Sequence, residues 1–229
     1  MNEQTRPPAE LKGRLMAAAA REPSTPPGSW GRRLAVTIAG GALWLAVMLM
    51  VKGFRHDWGE LPPAPWSLTV AALVLSAAVA TVVALRRGPA MVGAGVGALS
   101  PVVWGLPLAL VVLVSVVDPC GPSTEQASEG GHLADAAGCM ALTVLAALPL
   151  LGLGLLLLRG LTLSRPAVIG GALGLAAATW AHAVVRMHCP IGGADHALLG
   201  HLLPALPLMA VGAWAAWALD RRLMRLRTR

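Results

Sequence analysis

Six stretches of this chain run for 18 to 27 residues without an Asp, Glu, Lys or Arg: Leu34–Val51, Ser67–Leu85, Met91–Val117, Met140–Leu158, Ala167–Val185 and Ala197–Leu219. At about 1.5 Å of rise per residue, even the shortest helix of this set spans close to the roughly 30 Å hydrocarbon core of a bilayer. A soluble helix of that length would carry a polar stripe along one face, and none of the six does. The expected fold is an all-α integral membrane protein of six transmembrane helices joined by short loops. The first run follows a polar, Pro-rich segment and ends at Val51-Lys52 without a small-residue cleavage site, so it reads as a retained span and not as a signal peptide.

Charge orients the bundle. When the connecting segments are assigned alternately to two sides, the side holding both termini carries 15 of the 18 Lys and Arg, among them Arg32, Arg33, Arg86, Arg87, Arg159 and Arg221. Only Lys52, Arg55 and Arg186 fall on the other side. The excess of basic residues places both termini in the cytoplasm. With the acidic residues counted, the inner side carries +11 and the outer side −4, which accounts for the chain's net +7. Topology thus explains the basicity without a nucleic-acid partner. Trp30, Trp58, Trp66 and Trp217 fall near expected interfaces, whereas Trp44 and Trp104 read as packing residues.

Three parts follow: a cytoplasmic tail over 1–33, a membrane domain over 34–219, and a basic tail over 220–229 that anchors to anionic lipid. In the first tail, AELKGRLMAAAARE (Ala9–Glu22) is rich in helix formers and is closed by Pro23. Leu11 and Leu15 lie four apart on one face, a pattern that suits docking into a partner's groove or lying on the membrane surface. The inner loops are too short to fold as domains, and no enzymatic activity is expected. Ser100-Pro101, Pro107, Pro204 and Pro207 should kink the third and sixth spans, and Gly170, Gly171 and Gly174 should let the fifth approach a neighbour closely. Apart from His182 and His201 near the outer ends, no ionisable side chain is expected inside a span, which argues against a pump or ion-coupled transporter. The competing classes are a membrane transport component and a redox or metal-binding membrane protein.

All three cysteines and all six histidines fall on the outward side. Cys120, Cys139 and Cys189 stand at expected span ends, where an oxidising compartment permits one disulfide with one thiol left over. A Cys120–Cys139 bridge would staple one loop; a Cys139–Cys189 bridge would tie two hairpins together. Around Cys189 stand His182, His188, His196 and His201, and imidazole with thiolate suits a transient zinc, copper or cadmium ion. The spacing matches no closed zinc-finger pattern. His196 and His201, five apart, would diverge by about 140° on an α-helix. A metal site would therefore require several loops to converge.

Six spans with both termini inside, a short cytoplasmic N-terminal helix, a cysteine opening the fourth span and a Cys189-Pro190 after the fifth resemble the NrsF-like (DUF1109) membrane anti-sigma factors. The resemblance covers Leu11 to about Trp217. It implies a non-enzymatic regulator that holds an extracytoplasmic-function sigma factor at the inner membrane and releases it on a periplasmic signal, metal or oxidant. It also implies sensing roles for Cys139 and Cys189, and sigma-factor contact by the Leu11/Leu15 segment. Family members often carry aromatic residues after the Cys-Pro, whereas this chain reads CPIGGADHALLGHLLP, with His196 and His201 in their place. The absence of a cytoplasmic HxxxCxxC segment excludes the zinc-containing type of anti-sigma domain.

Overall fold

The computed structural model of the protein describes residues 10, 13, 17, 29–57, 59, 63–86, 99–117, 131–159, 163, 165–191 and 193–227. Its elements are helical. Helix α1 spans Ser29–Lys52 and α2 spans Pro63–Leu85. A π-helical turn, Pro101–Gly105, runs into α3, Leu106–Val117. Helix α4 is Gly131–Leu157 and α5 is Pro166–His188. One helical turn, Ala194–His196, and a second π-helical turn, Ala197–Leu202, lead to α6, Ala205–Arg227. Five helical segments are long and apolar enough to cross a membrane: those of α1, α2, α4, α5 and the stretch Ala197–Arg225. The run expected as the third span is described only from Leu99 onward. The architecture is compatible with a multi-pass membrane protein.

Helix α5 is the centre of the bundle. Side chains from Ile169 to Met187 are buried throughout, against α2, α4 and α6 above all. Its composition explains this position, because glycine and alanine make a thin rod that several neighbours can approach. A Cβ at Gly170 would overlap the Gly212 carbonyl of α6, and one at Gly174 would overlap the Leu208 carbonyl. The two backbones therefore touch along a Gly-x-x-x-Gly ridge. The outer helices turn apolar side chains away from the protein, with Leu43, Met50, Leu75, Leu145 and Leu206 all exposed, as lipid-facing residues would be. Trp44 packs as expected, donating its indole N–H to the Ala146 carbonyl at 2.8 Å. Trp104 does not, being 75 % exposed on the first π-helical turn.

Three boundaries differ from the sequence expectation. Helix α4 begins at Gly131, well before Met140, so Cys139 lies inside the helix and not at its start. Helix α5 continues past Val185 to His188 and takes Arg186, expected in an outer loop, into the protein interior. The sixth run is broken into the π-helical turn and α6, and α6 then extends through Arg221, Arg222 and Arg225.

Proline chemistry accounts for the irregular turns. Pro101 and Pro204 lack an N–H, so the α ladder fails at each. In the turn that begins at Pro101, the Leu106 N–H donates five residues back, to the Pro101 carbonyl. Before Pro204 the same pattern appears, with Leu203 N–H donating to the Leu198 carbonyl at 2.8 Å. π-helical turns thus lie at Pro101 and just before Pro204, whereas Pro107 and Pro207 fall in the first turns of α3 and α6.

Candidate functional site

The site gathers at one end of α4 and α5. Cys189 follows α5 directly. As the residue before Pro190 it is pushed out of helical geometry, and it adopts φ −77° and ψ 120°, ending the helix. The chain then turns at Gly193, whose φ of +104° favours a residue without a Cβ, and re-enters helix at Ala194. His196 closes that helical turn, and His201 lies within the second π-helical turn.

That turn corrects the 140° argument. Hydrogen bonding from i+5 to i brings residues about five apart to the same face. His196 and His201 therefore face inward together, with ring centroids 5.2 Å apart.

Close approach to α4 depends on Gly200. A Cβ there would stand 3.1 Å from Cys139 Cβ and 3.2 Å from the Ala136 carbonyl oxygen. Because Pro204 has no N–H to offer, the Gly200 carbonyl is available to another donor, and Thr143 Oγ1 meets it at 3.2 Å. The Thr143 hydroxyl also lies 2.8 Å from the Cys139 carbonyl. One threonine thus ties the π-helical turn to the turn of α4 that bears Cys139.

The result is a four-residue cluster. Cys139 Sγ lies 3.4 Å from Cys189 Sγ, and Cys189 Sγ lies 3.3 Å from His196 Nε2. One ligand atom from each of Cys139, Cys189, His196 and His201 falls within 4.8 Å of all the others. Cys189, His196 and His201 are buried and Cys139 is partly so; both cysteines are free thiols. The hydrogen bond donated by Cys139 pushes the Cys189 thiol pKa down, against the opposing effect of burial, and His196 adds to the lowering. Neither ring nitrogen of His201, nor Nδ1 of His196, has a hydrogen-bond partner. Such a set of donors could hold a metal ion.

The segment after α1 packs against the chain beside the cluster. Arg55 makes a bidentate pair with Asp57, both contacts at 2.6 Å. Its guanidinium also donates to the Pro190 carbonyl at 3.1 Å, while its backbone N–H donates to the Met187 carbonyl. The Arg55 hydrogen bond holds the Asp57 carboxyl below the usual carboxylate range, outweighing its partial burial. The sequence marked neither Asp57 nor Thr143, and it set Arg55 apart only as one of three basic residues on the side of the cysteines. The only other signals were a glycine directly before His201 and a proline three residues after it.

Two of the candidate ligands stand apart. His188 turns away, its Nδ1 lying 3.1 Å from the Gly53 carbonyl, because α5 persists through it and points it at the segment after α1. His182, about two helical turns before the end of α5, packs edge-on against His201 at 5.1 Å but lies outside the four-donor set. Behind these two rings is an apolar cavity of about 280 Å³, walled by Leu175, Thr179, Leu198, Leu202 and Met209 together with His182 and His201. Cys120, Leu11 and Leu15 lie outside the described residues.

A family profile described as NrsF, negative regulator of sigma F, matches residues 18–222. The chain belongs to the NrsF family. The match spans every described helix from α1 to α5 and most of α6. It includes both cysteines of the cluster, and with them both histidines. Comparison with curated proteins and with solved structures returned no match. Membership in the NrsF family implies negative regulation of a sigma factor, and hence a sigma factor as partner; it suggests a regulator and not an enzyme.

Proposed function

We propose that this protein is a six-span anti-sigma factor of the bacterial inner membrane, with both termini in the cytoplasm. Its N-terminal segment around Leu11 and Leu15 binds an extracytoplasmic-function sigma factor and keeps it from polymerase. A periplasmic signal, metal or oxidant, acts at Cys139 and Cys189 and releases it. Family membership over residues 18–222 supports the regulatory half. The observation that carries the sensing half is the 3.4 Å approach of two free thiols, one on α4 and one in the extended chain after α5. A ligand or bond joining them couples α4 to the chain between α5 and α6.

Release requires a bistable element. The second π-helical turn suits that part, since it bears His201, is held to α4 through Thr143, and has the cavity at its back. Moving such an element from 1:99 to 99:1 takes a stimulus that binds one arrangement about 10⁴-fold better, roughly 5.5 kcal/mol. Coordination by several donors supplies free energy of that order and more. The basic end of α6, where Arg221 stacks on Trp217 at 4.2 Å, suits a cytoplasmic lipid interface.

Co-purification of the full-length protein with the extracytoplasmic-function sigma factors of its source genome tests the reading. One sigma factor should bind, and deletion of residues 1–22 should abolish that binding while the membrane domain still accumulates. Failure to retain any sigma factor would overturn the anti-sigma assignment.

A further inference from the structure

The donor set at the cluster has a chemistry more specific than a pair of reactive thiols. It comprises two sulfurs and two imidazole nitrogens, with no carboxylate among them. Hard ions such as magnesium and calcium select oxygen ligands, so this set is wrong for them. Two thiolates and two imidazoles are the ligands of closed, tetrahedral zinc sites.

The distances agree with that geometry. Zn–S bonds of about 2.3 Å and Zn–N bonds of about 2.0–2.1 Å, at tetrahedral angles, place the sulfurs about 3.8 Å apart and sulfur and nitrogen about 3.6 Å apart. The corresponding separations here are 3.4 Å and 3.3 Å. All four donor atoms lie within 4.8 Å of one another, so the wider pairs must draw together for a shell to close, a movement within the reach of side-chain rotation. Burial fits as well, because His196 and His201 are respectively 4 % and 1 % exposed. His201 aims two unpaired ring nitrogens into a protein interior, a costly arrangement that an ion would relieve by taking one of them.

We propose that Cys139, Cys189, His196 and His201 form a closed, four-coordinate centre for a zinc-class divalent ion, which cadmium would also enter. The centre joins three elements: α4 through Cys139, the extended residue after α5 through Cys189, and the turns before α6 through the two histidines. Cys139 becomes a ligand and not only a redox partner, whereas His182 and His188 are not ligands. An ion in this centre holds the sulfurs at a separation incompatible with the approximately 2.05 Å bond of a disulfide. Metal-bound and disulfide-bonded forms are thus alternative states of one site. A role for this switch in sigma-factor release rests on the function proposed above; the metal centre itself does not.

The test uses the full-length protein in detergent, reduced and stripped with chelator, then titrated with Co²⁺ as a spectroscopic probe. One equivalent should produce the intense visible bands of tetrahedral cobalt and a thiolate-to-cobalt charge-transfer band, both bleached by Zn²⁺. Zinc loading should also protect Cys139 and Cys189 from crosslinking by diamide. His188→Gln should retain the spectrum, and Cys189→Ser or His201→Gln should weaken binding at least 100-fold. Wild-type protein that binds neither ion, gives weak octahedral bands, or crosslinks equally fast with zinc would overturn the centre, whatever the variants' folding. A bound ion that leaves retention of the sigma factor unchanged would sink its link to release. A chain that binds zinc but no sigma factor would instead overturn the anti-sigma reading.

Discussion

At the residue scale, Gly200 is the tightest constraint on the cluster. A methyl group there would press on Cys139 Cβ at 3.1 Å and on the Ala136 carbonyl. Overpacking of this kind typically costs about 1–3 kcal/mol, and it is relieved only by moving the π-helical turn off α4. Gly200→Ala should slow oxidative crosslinking of Cys139 to Cys189 modestly, and Gly200→Val by tenfold or more, as read by non-reducing electrophoresis after diamide treatment. Asp57 acts at one remove, since it neutralises the buried Arg55 that grips the Pro190 carbonyl. Asp57→Asn should destabilise this outer latch by roughly 3 kcal/mol, because it leaves a buried guanidinium without its counter-charge. Hydrogen exchange at residues 53–57 and 187–190 would accelerate, and unchanged exchange would refute the latch. With its folded pKa depressed, Asp57 contributes stability that is fully present above the ordinary carboxylate pKa and is lost as the pH falls through the lower folded value. The latch should therefore be insensitive to pH near neutrality and fail only in acid.

At the scale of elements, the α5–α6 contact holds the bundle together. Gly170 and Gly174 sit against backbone carbonyls of α6, where no flexible side chain can yield. Gly170→Leu should separate the helices and lower the thermal midpoint in detergent markedly, beyond the 1–3 kcal/mol of ordinary overpacking. Gly152 on α4 is the control, since a Cβ there would meet nothing within 4 Å. Gly152→Ala should be neutral or stabilise the helix by up to about 1 kcal/mol, never destabilise it. The legible part of this contact was the Gly170-x-x-x-Gly174 spacing, which marks a face for close approach without naming the neighbour. The second π-helical turn is the opposite case. Pro204 announced a break, but a proline can kink, end or re-register a helix. The bond from Leu203 N–H to the Leu198 carbonyl decided for re-registration, and with it the convergence of His196 and His201.

At the scale of the whole molecule, the proposed topology makes a direct prediction about sidedness. A cysteine introduced at Glu125 in the background lacking native cysteines should react with a membrane-impermeant maleimide in intact cells. One introduced at Arg227 should react only after permeabilisation. Labelling in the reverse order would invert the bundle and move the cluster to the cytoplasm. The central position of α5 also has a consequence for the whole protein: it touches α1, α2, α4 and α6, so a shift at its Cys189 end is felt by nearly every other helix. That is the property a membrane relay requires.

Hydrophobic length is a property of local sequence, and so the helical class and five of the six runs as long apolar helices could be read directly. The pairing of Cys139 with Cys189 was one of several disulfide arithmetics, made attractive by family resemblance but not derivable from spacing. The rejection of His182 and His188, the inclusion of Cys139 with His196 and His201, and the burial of Arg55 and Arg186 were decided by tertiary structure alone. The physical reason is that ligand convergence depends on helix register at one proline, on a missing Cβ at Gly200 and on a carbonyl shared through Thr143. Each is a short-range event, and only the packing of α4 against the turn before α6 brings the three together.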